Sequence, residues 1–169
     1  MKEMTRKDRL MEAMIAYDRG DPKRIQHFIK VHAFARMIGR REGLEGRELE
    51  TLLAAAIVHD IGIRVCEEKY GSCEGKLQEK EGPAIAEKMM GELGFDREMT
   101  ERVAFLVGHH HTYRDIEGMD YQILVEADFL VNIYEDGLSK ETAAHIEKKI
   151  FRTAAGKKLL EEMYLAERE

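Results

Sequence analysis

Three short segments of the sequence carry polar residues whose types and spacing suit metal binding. His59 and Asp60 are adjacent at the end of the apolar stretch AAAIVHDIG, where an ionised carboxylate is costly to bury unless something pairs with it. His27 shares a helical stripe with apolar residues, and Asp128 lies inside the apolar segment QILVEADFLVNI, where a buried carboxylate shifts its pKa or finds a cation. Together they offer the mixed nitrogen and oxygen ligands typical of Mn²⁺, Fe²⁺, Co²⁺, Ni²⁺ or Zn²⁺. The pattern predicts that His27, His59, Asp60 and Asp128 converge on one divalent metal ion.

Each of these signals has a plainer interpretation when it is taken alone. A His-Asp pair at a helix end usually faces water, and a lone histidine on an apolar stripe is more often a core residue than a ligand. His32 also competes with His27, because it aligns with other apolar residues of the same segment. Neighbouring side chains on a helix point about 100° apart, so His59 and Asp60 can reach one point only where the helix ends. Gly62 is expected to end it through its backbone freedom.

The segments that position these residues have the sequence signals of α-helices, with apolar residues at helical spacing and cap residues at the starts. The predicted caps are Thr5, Asp21 (followed by Pro22), Asp96 and Ser139. The predicted helices cover about residues 5–18, 21–39, 47–62, 82–93 (opened by Gly82-Pro83), 96–109 and 123–134, with two more after Ser139. Residues 64–80 carry two glycines and mixed charge, which predicts a mobile surface loop beside the substrate entrance. Nothing alternates at period two for long enough to indicate a sheet, so the predicted fold is an all-α, single-domain helical bundle.

The composition limits the classes of function. Hydrophobic residues make up 44% and charged residues 36% of the 169 residues, a mix rich in helix formers and long enough for one core. The net charge of −6 argues against a nucleic-acid polymer as partner but allows a small phosphorylated substrate, which needs only a local cluster of cations. No apolar run approaches the ~20 residues of a membrane span, and the N-terminus lacks the apolar core of a secretory signal. We therefore expect a cytoplasmic protein without a membrane partner, in which Cys66 and Cys73 are free thiols; the oligomeric state stays open.

The ordered motifs resemble those of the HD-domain metal-dependent phosphohydrolases. The matching segments are HFIKVHAFA beginning at His27, VHDIG at residues 58–62 and EADFL at residues 126–130. The spacing H-x3-V-x3-A after His27 also matches the family, which favours His27 over His32 as the ligand.

The resemblance implies a helical fold around one or two divalent metals and hydrolysis of phosphate esters, often in nucleotides, by a metal-activated water. It spans about residues 21–135, and residues 1–20 and 137–169 are expected to complete the bundle. Two departures limit it: Ile63 stands where many relatives have a lysine after HDIG, and the GYP signature of cyclic-dinucleotide hydrolases is absent. The leading alternative is a metal-containing HD domain that binds a nucleotide as a sensor without turning it over. A purely structural helical module is the third interpretation, and it predicts no stoichiometric metal.

A second metal position, or an outer shell of the first, is also implied by resemblance to dinuclear members. Glu81, His109 and His110 would complete it, with Asp60 bridging the two ions and His111 turned outward. A solvated histidine cluster with a helix-start glutamate explains the same residues equally well.

Arg64 and Lys69, which follow HDIG closely, are the sequence candidates to hold a substrate phosphate. Ordinary surface charge is the competing explanation for both. His145, in the polar run ETAAHIEKK, is expected at the surface.

Overall fold

The computed structural model describes residues 3–169, and the chain in that range consists of helices and the turns between them. Its nine α-helices are α1 (Arg6–Tyr17), α2 (Pro22–Arg41), α3 (Gly46–Val58), α4 (Ile63–Tyr70), α5 (Gly75–Glu92), α6 (Arg97–Val107), α7 (Met119–Glu135), α8 (Lys140–Ile150) and α9 (Ala154–Leu160). A π-helical turn, Glu161–Leu165, follows α9 directly. No β-strand occurs among the described residues, which confirms the predicted all-α class.

The four predicted caps are confirmed by their hydrogen bonds. Each side chain accepts a hydrogen bond from the backbone N–H three residues later, which satisfies one of the free donors of a helix N-terminus. Thr5 goes further and forms a reciprocal capping box with Asp8. The starts of α1, α2, α6 and α8 are therefore encoded locally, in single side chains.

The prediction of a loop over residues 64–80 is wrong. Residues 63–70 form α4 and residues 75–92 form α5, so only residues 71–74 separate the two helices. Gly71 ends α4 in the left-handed conformation, with φ of +63°. Pro83 does not open a helix but lies inside α5. The spacing of apolar residues did not predict α4, because this helix buries only Cys66 and keeps its charged side chains outside.

The core is centred on α3. Every residue from Thr51 to Val58 is buried, and α1, α2, α6 and α7 pack around this helix. The burial of each large apolar side chain contributes about 1.5–3 kcal/mol, so this single compact domain is held chiefly by α3 and its neighbours. Since α3 runs directly into His59, the candidate site starts where this continuously buried stretch ends.

The C-terminal helices are joined to the bundle through Glu126, a fully buried residue of α7. Its Oε1 accepts hydrogen bonds from the backbone N–H of Arg152 at 2.5 Å and of Thr153 at 3.0 Å. Its Oε2 accepts one from the Thr153 hydroxyl at 2.6 Å. Burial outweighs these hydrogen bonds and raises the pKa of Glu126. One buried carboxylate thus holds the segment between α8 and α9 against α7.

No helix within residues 3–169 has both the length and the apolar character that a membrane crossing requires.

Candidate metal centre

The four residues predicted as metal ligands lie together between α2, α3 and α7. His27 Nε2 is 3.1 Å from Asp128 Oδ1 and 3.2 Å from Asp60 Oδ2. His59 Nε2 is 3.3 Å from the same oxygen of Asp60 and 3.4 Å from Asp128 Oδ1. Two imidazole nitrogens and two carboxylate oxygens therefore face one point.

The chain brings His59 and Asp60 to that point by leaving α3 and turning at once into α4. His59 is the C-cap residue of α3, and hydrogen bonds from Ile61 N to Val58 O and from Ile63 N to Asp60 O close two successive turns. α3 ends at Val58 and not near Gly62 as predicted, and this earlier end lets the adjacent side chains converge.

Gly62 has a different role from the one predicted. Its φ of −75° is open to any residue, so backbone freedom is not required there. Instead, the backbone of α5 passes so close that a Cβ on Gly62 would lie 3.0 Å from both Gln78 O and Gly82 N. The glycine of the HDIG motif is needed for this close approach of two backbones.

The outer nitrogens of His27 and His59 are both held by acceptors. His27 Nδ1 donates to Glu135 Oε1 at 2.5 Å, and His59 Nδ1 donates to Ala56 O at 2.8 Å. In a neutral imidazole whose Nδ1 carries the proton, Nε2 has only a lone pair. The two Nε2 atoms lie 3.2 Å apart, so without a proton on one of them they cannot hydrogen-bond to each other. Protons shared with Asp60 and Asp128, or one cation in their place, remove this repulsion.

The charges of the cluster lead to the same conclusion. Burial opposes the charged form of His27, but hydrogen bonds to Asp128 and Asp60 outweigh it and raise the pKa of His27 to about 11. Burial is likewise outweighed at His59, where the charge of Asp60 contributes most to raising the pKa to about 10. Burial alone would raise the pKa values of Asp60 and Asp128, yet the histidines hold both below their ordinary range. Two carboxylates here attract two positive charges, which is the charge of one divalent ion.

A second group of possible ligands adjoins the first through Asp60. Asp60 Oδ1 lies 3.2 Å from His110 Nε2, and His110 Nδ1 donates to Val107 O at 2.8 Å. One ligand atom from each of Asp60, His110 and His111 lies within 4.8 Å of the others. Of the three consecutive histidines, His110 and His111 are therefore the pair next to Asp60.

His111 is placed differently from the prediction that it turns outward. Its ring Nε2 lies 3.0 Å from Gln78 Oε1, and its backbone N–H donates to Glu79. His109 is the one that turns away: its Nδ1 donates to Phe105 O and its ring stacks on Phe105. The reason is that α6 ends at Val107, so the three histidines lie in the turn after the helix and not on its last turn.

The structure does not bring Glu81 to the site either. Its carboxylate accepts hydrogen bonds from the Tyr70 hydroxyl at 2.7 Å and from Lys69 Nζ at 2.9 Å. These bonds join α4 to α5, and they lower the pKa of Glu81. The Glu81 carboxylate thus binds Tyr70 and Lys69 and is not part of the cluster around Asp60.

A cavity of about 500 Å³ opens over the four converging residues. His27, Asp60 and Asp128 form part of its wall, together with His111. A volume in this range suits a small molecule.

The cations of the cavity wall are Lys23 and Arg24 at the start of α2. Neither Arg64 nor Lys69 lines it. Arg64 donates to Tyr17 O and pairs with Glu68, while Lys69 pairs with Glu81. Arg64 and Lys69, which the sequence analysis proposed as phosphate-binding residues, therefore lie outside the cavity.

Other sequence expectations concern side chains away from the centre. His32 lies near Lys7 and Arg36; burial first, and then these cations, lower its pKa to about 4. Cys66 and Cys73 are both free, and Cys73 reaches the cavity wall. His145 is exposed, as expected.

Comparison with known proteins gives the family. The model of the HD domain family matches residues 24–156, so the chain belongs to the HD-domain family. Among solved structures, it is similar to the crystal structure of a predicted HD superfamily hydrolase from an uncultured Thermotogales bacterium, with a TM-score of 0.67 and 23% identity. That match covers 93% of this chain and 84% of the other, and at this identity it shows the common fold. No curated protein matches this sequence.

Proposed function

We propose that this protein is a metal-dependent phosphohydrolase that acts on a small phosphorylated molecule, with nucleotides as the first class to test. The observation that carries the proposal is the convergence of His27 Nε2, His59 Nε2, Asp60 Oδ2 and Asp128 Oδ1, with neighbouring atoms 3.1–3.4 Å apart. Membership of the HD-domain family supports the same class of reaction.

The residues fit a divalent transition metal. His59 is fully buried and Asp128 is 4% exposed, so their polar atoms need a partner inside the protein. Two nitrogen and two oxygen donors suit Mn²⁺, Fe²⁺, Co²⁺, Ni²⁺ or Zn²⁺. Such an ion supplies a nucleophilic water at neutral pH and neutralises charge on phosphate oxygens. A second ion would use Asp60, His110 and His111, which lie beside the first group.

Lys23 and Arg24 are the residues proposed to hold the phosphorylated substrate. Lys23 is exposed and forms no ion pair with any carboxylate among residues 3–169, so it is available to an anion. Arg24 pairs with Glu67 and lies 3.4 Å from Asp21. An arriving phosphate would replace Glu67 as the partner of the guanidinium, which favours planar two-oxygen contacts.

The acidic part of the cavity wall limits the charge of the substrate. Glu67, Glu135 and Asp136 face the same space as the two cations. A ligand with several uncompensated negative charges would be repelled by them, whereas one phosphorylated end can lie against Arg24 and the metal position. This arrangement favours a small phosphomonoester or nucleotide over a polyanion.

The test is metal analysis of the purified protein, followed by phosphate release from a panel of nucleotides and phosphomonoesters with each of Mn²⁺, Co²⁺, Ni²⁺ and Fe²⁺. We expect stoichiometric metal and phosphate release above a metal-free control. Asp60→Ala should lose both metal and activity while circular dichroism stays helical, because the apolar core does not depend on Asp60. Glu68→Gln, an exposed carboxylate outside the cavity, is the matched control.

Two outcomes would contradict the proposal in different ways. Nucleotide binding without phosphate release would identify a sensor that keeps its metal. A protein that binds no divalent metal, with Asp60→Ala indistinguishable from the wild type, would make the cluster structural.

A further inference from the structure

Glu135, the last residue of α7, contacts the outer side of the candidate ligand His27. Its Oε1 lies 2.5 Å from His27 Nδ1, and its side chain is only 10% exposed. Lys30 Nζ lies 3.3 Å from the other oxygen, Oε2. Both oxygens of this carboxylate therefore have a defined partner.

α7 holds the His27 ring from both sides. Asp128 and Glu135 are seven residues apart, about two helical turns, so both lie on one face of the helix. Asp128 Oδ1 lies 3.1 Å from Nε2, and Glu135 Oε1 lies against Nδ1. The ring cannot rotate about its Cβ–Cγ bond without breaking at least one of these contacts.

The other buried histidines of the site are held differently. His59 Nδ1 and His110 Nδ1 each donate to a backbone carbonyl at 2.8 Å, Ala56 O and Val107 O respectively. A carbonyl is neutral, and no side-chain substitution removes it. His27 is the one of these three whose outer partner is a charged side chain.

A carboxylate on the outer nitrogen of a ligating histidine fixes the tautomer and makes the inner nitrogen a stronger donor to metal. The proton on Nδ1 stays with the Glu135 contact, so a metal would replace only the proton through which Nε2 contacts Asp60 and Asp128. We infer that Glu135 is a positioning residue that sets the affinity of the site for a divalent metal through His27. The inference rests on the proposed metal site at His27, His59, Asp60 and Asp128.

The experiment titrates the metal-free protein with Co²⁺ alone, measuring both the dissociation constant and the visible absorption of the bound ion. The variants are Glu135→Ala, which removes the carboxylate, and Glu135→Gln, which keeps a neutral acceptor of nearly the same shape. Glu68→Gln removes a charge at an exposed position that contacts Arg64, and it is the control. We expect Co²⁺ binding to weaken by about 10–100-fold in Glu135→Ala, with partial recovery in Glu135→Gln, an altered absorption spectrum in both, and no change in the control.

The outcomes separate this inference from the proposed function. If the wild type binds Co²⁺ and Glu135→Gln and Glu135→Ala bind it with the same affinity and spectrum, the inference is overturned and the metal site stands. If the wild type itself binds no Co²⁺, both the metal site and the role of Glu135 are overturned. Glutamine has nearly the same shape as glutamate, so Glu135→Gln should fold, which circular dichroism checks. Its comparison with the wild type therefore decides the question even if Glu135→Ala is unstable.

Discussion

Asp60 Oδ1 lies 3.2 Å from His110 Nε2, while the other oxygen of Asp60 faces His27 and His59 at 3.2 and 3.3 Å. One carboxylate thus belongs to both groups of potential ligands. This is the arrangement expected of a bridge between two cations, in which shared negative charge offsets their mutual repulsion.

We predict that metal titration of the wild type approaches two ions per chain, the second bound more weakly. His111 would give up its contact with Gln78 if it bound the ion through Nε2, which would cost affinity at the second position. His110→Ala should reduce the stoichiometry to about one. Glu81→Ala should leave it at two, because Glu81 contacts Lys69 and Tyr70 instead. Saturation of the wild type at a single ion would show the site to be mononuclear.

The role of Lys23 in substrate binding can be tested by comparing it with Lys69. Lys23→Ala should raise the Michaelis constant for a phosphorylated substrate by about tenfold, equivalent to roughly 1.4 kcal/mol of lost binding, because Lys23 lines the cavity. Lys69→Ala should change it by less than about twofold, since its ammonium is paired with Glu81 outside the cavity. Steady-state kinetics at saturating metal measures both. A larger effect at Lys69 than at Lys23 would restore the sequence-based assignment.

Gly62→Ala should destabilise the fold by roughly 1–3 kcal/mol and weaken metal binding. The added Cβ would meet the backbone of Gln78 and Gly82 at 3.0 Å, and backbone atoms cannot move aside as a side chain can. The resulting shift between α4 and α5 would displace the adjacent Asp60.

Gly91→Ala is the matched control for that variant. Gly91 lies in α5, and a Cβ added there would have no neighbouring atom within 4 Å, so alanine should stabilise the helix by roughly 0.5–1 kcal/mol. Urea denaturation compares the two variants. Equal and small effects at both positions would mean that the Gly62 contact tolerates a methyl group.

Asp18, which is 8% exposed, gives the stability of the metal-free protein a pH dependence. Burial raises its pKa from 3.8 to about 6, so its contribution is fully present below about pH 3.8 and is lost as the pH rises through about 6. Asp18→Asn should therefore be more stable than the wild type above pH 6, by up to roughly 3 kcal/mol, with the difference vanishing toward low pH.

Urea denaturation of metal-free protein across this pH range is the measurement. Asp8→Asn is a control in which the change in stability should have the opposite sign, because hydrogen bonds from Thr5 lower the pKa of Asp8. That variant should lose stability at neutral pH rather than gain it. A constant difference between Asp18→Asn and wild type at every pH would exclude the titration of Asp18 as its cause.

The sequence predicted that the four central residues lie together because their motifs were considered jointly: each has a plainer interpretation alone, and the spacing shared with HD domains favoured His27 over His32. His59 and Asp60 follow eight consecutive buried residues, and Asp128 interrupts an almost entirely buried helix. Glu135 gave no such signal: it lies in the polar sequence IYEDG at a helix end, where an acid is ordinary.

The direction of the three consecutive histidines was beyond prediction for a geometric reason. Each residue turns the side chain by about 100°, so a shift of one residue in the end of α6 exchanges the roles of His109 and His111. The same limit applies to α4, whose eight residues carry too few apolar positions to distinguish a helix from a loop. Patterns that span many residues predicted the fold, whereas single-residue boundaries needed the structure.

The contact between Glu126 and the segment before α9 bears on how far the chain can be shortened. A chain cut after Ile150 would retain every candidate ligand, yet Glu126 would lose the Arg152 and Thr153 donors that now solvate it. A buried carboxylate left with only the Gln122 amide as a donor, at 3.3 Å, and two residues from Asp128, would be hydrated by water entering beside α7. The shortest chain that contains every candidate ligand is therefore shorter than the chain needed to keep water away from the buried part of α7 beside Asp128.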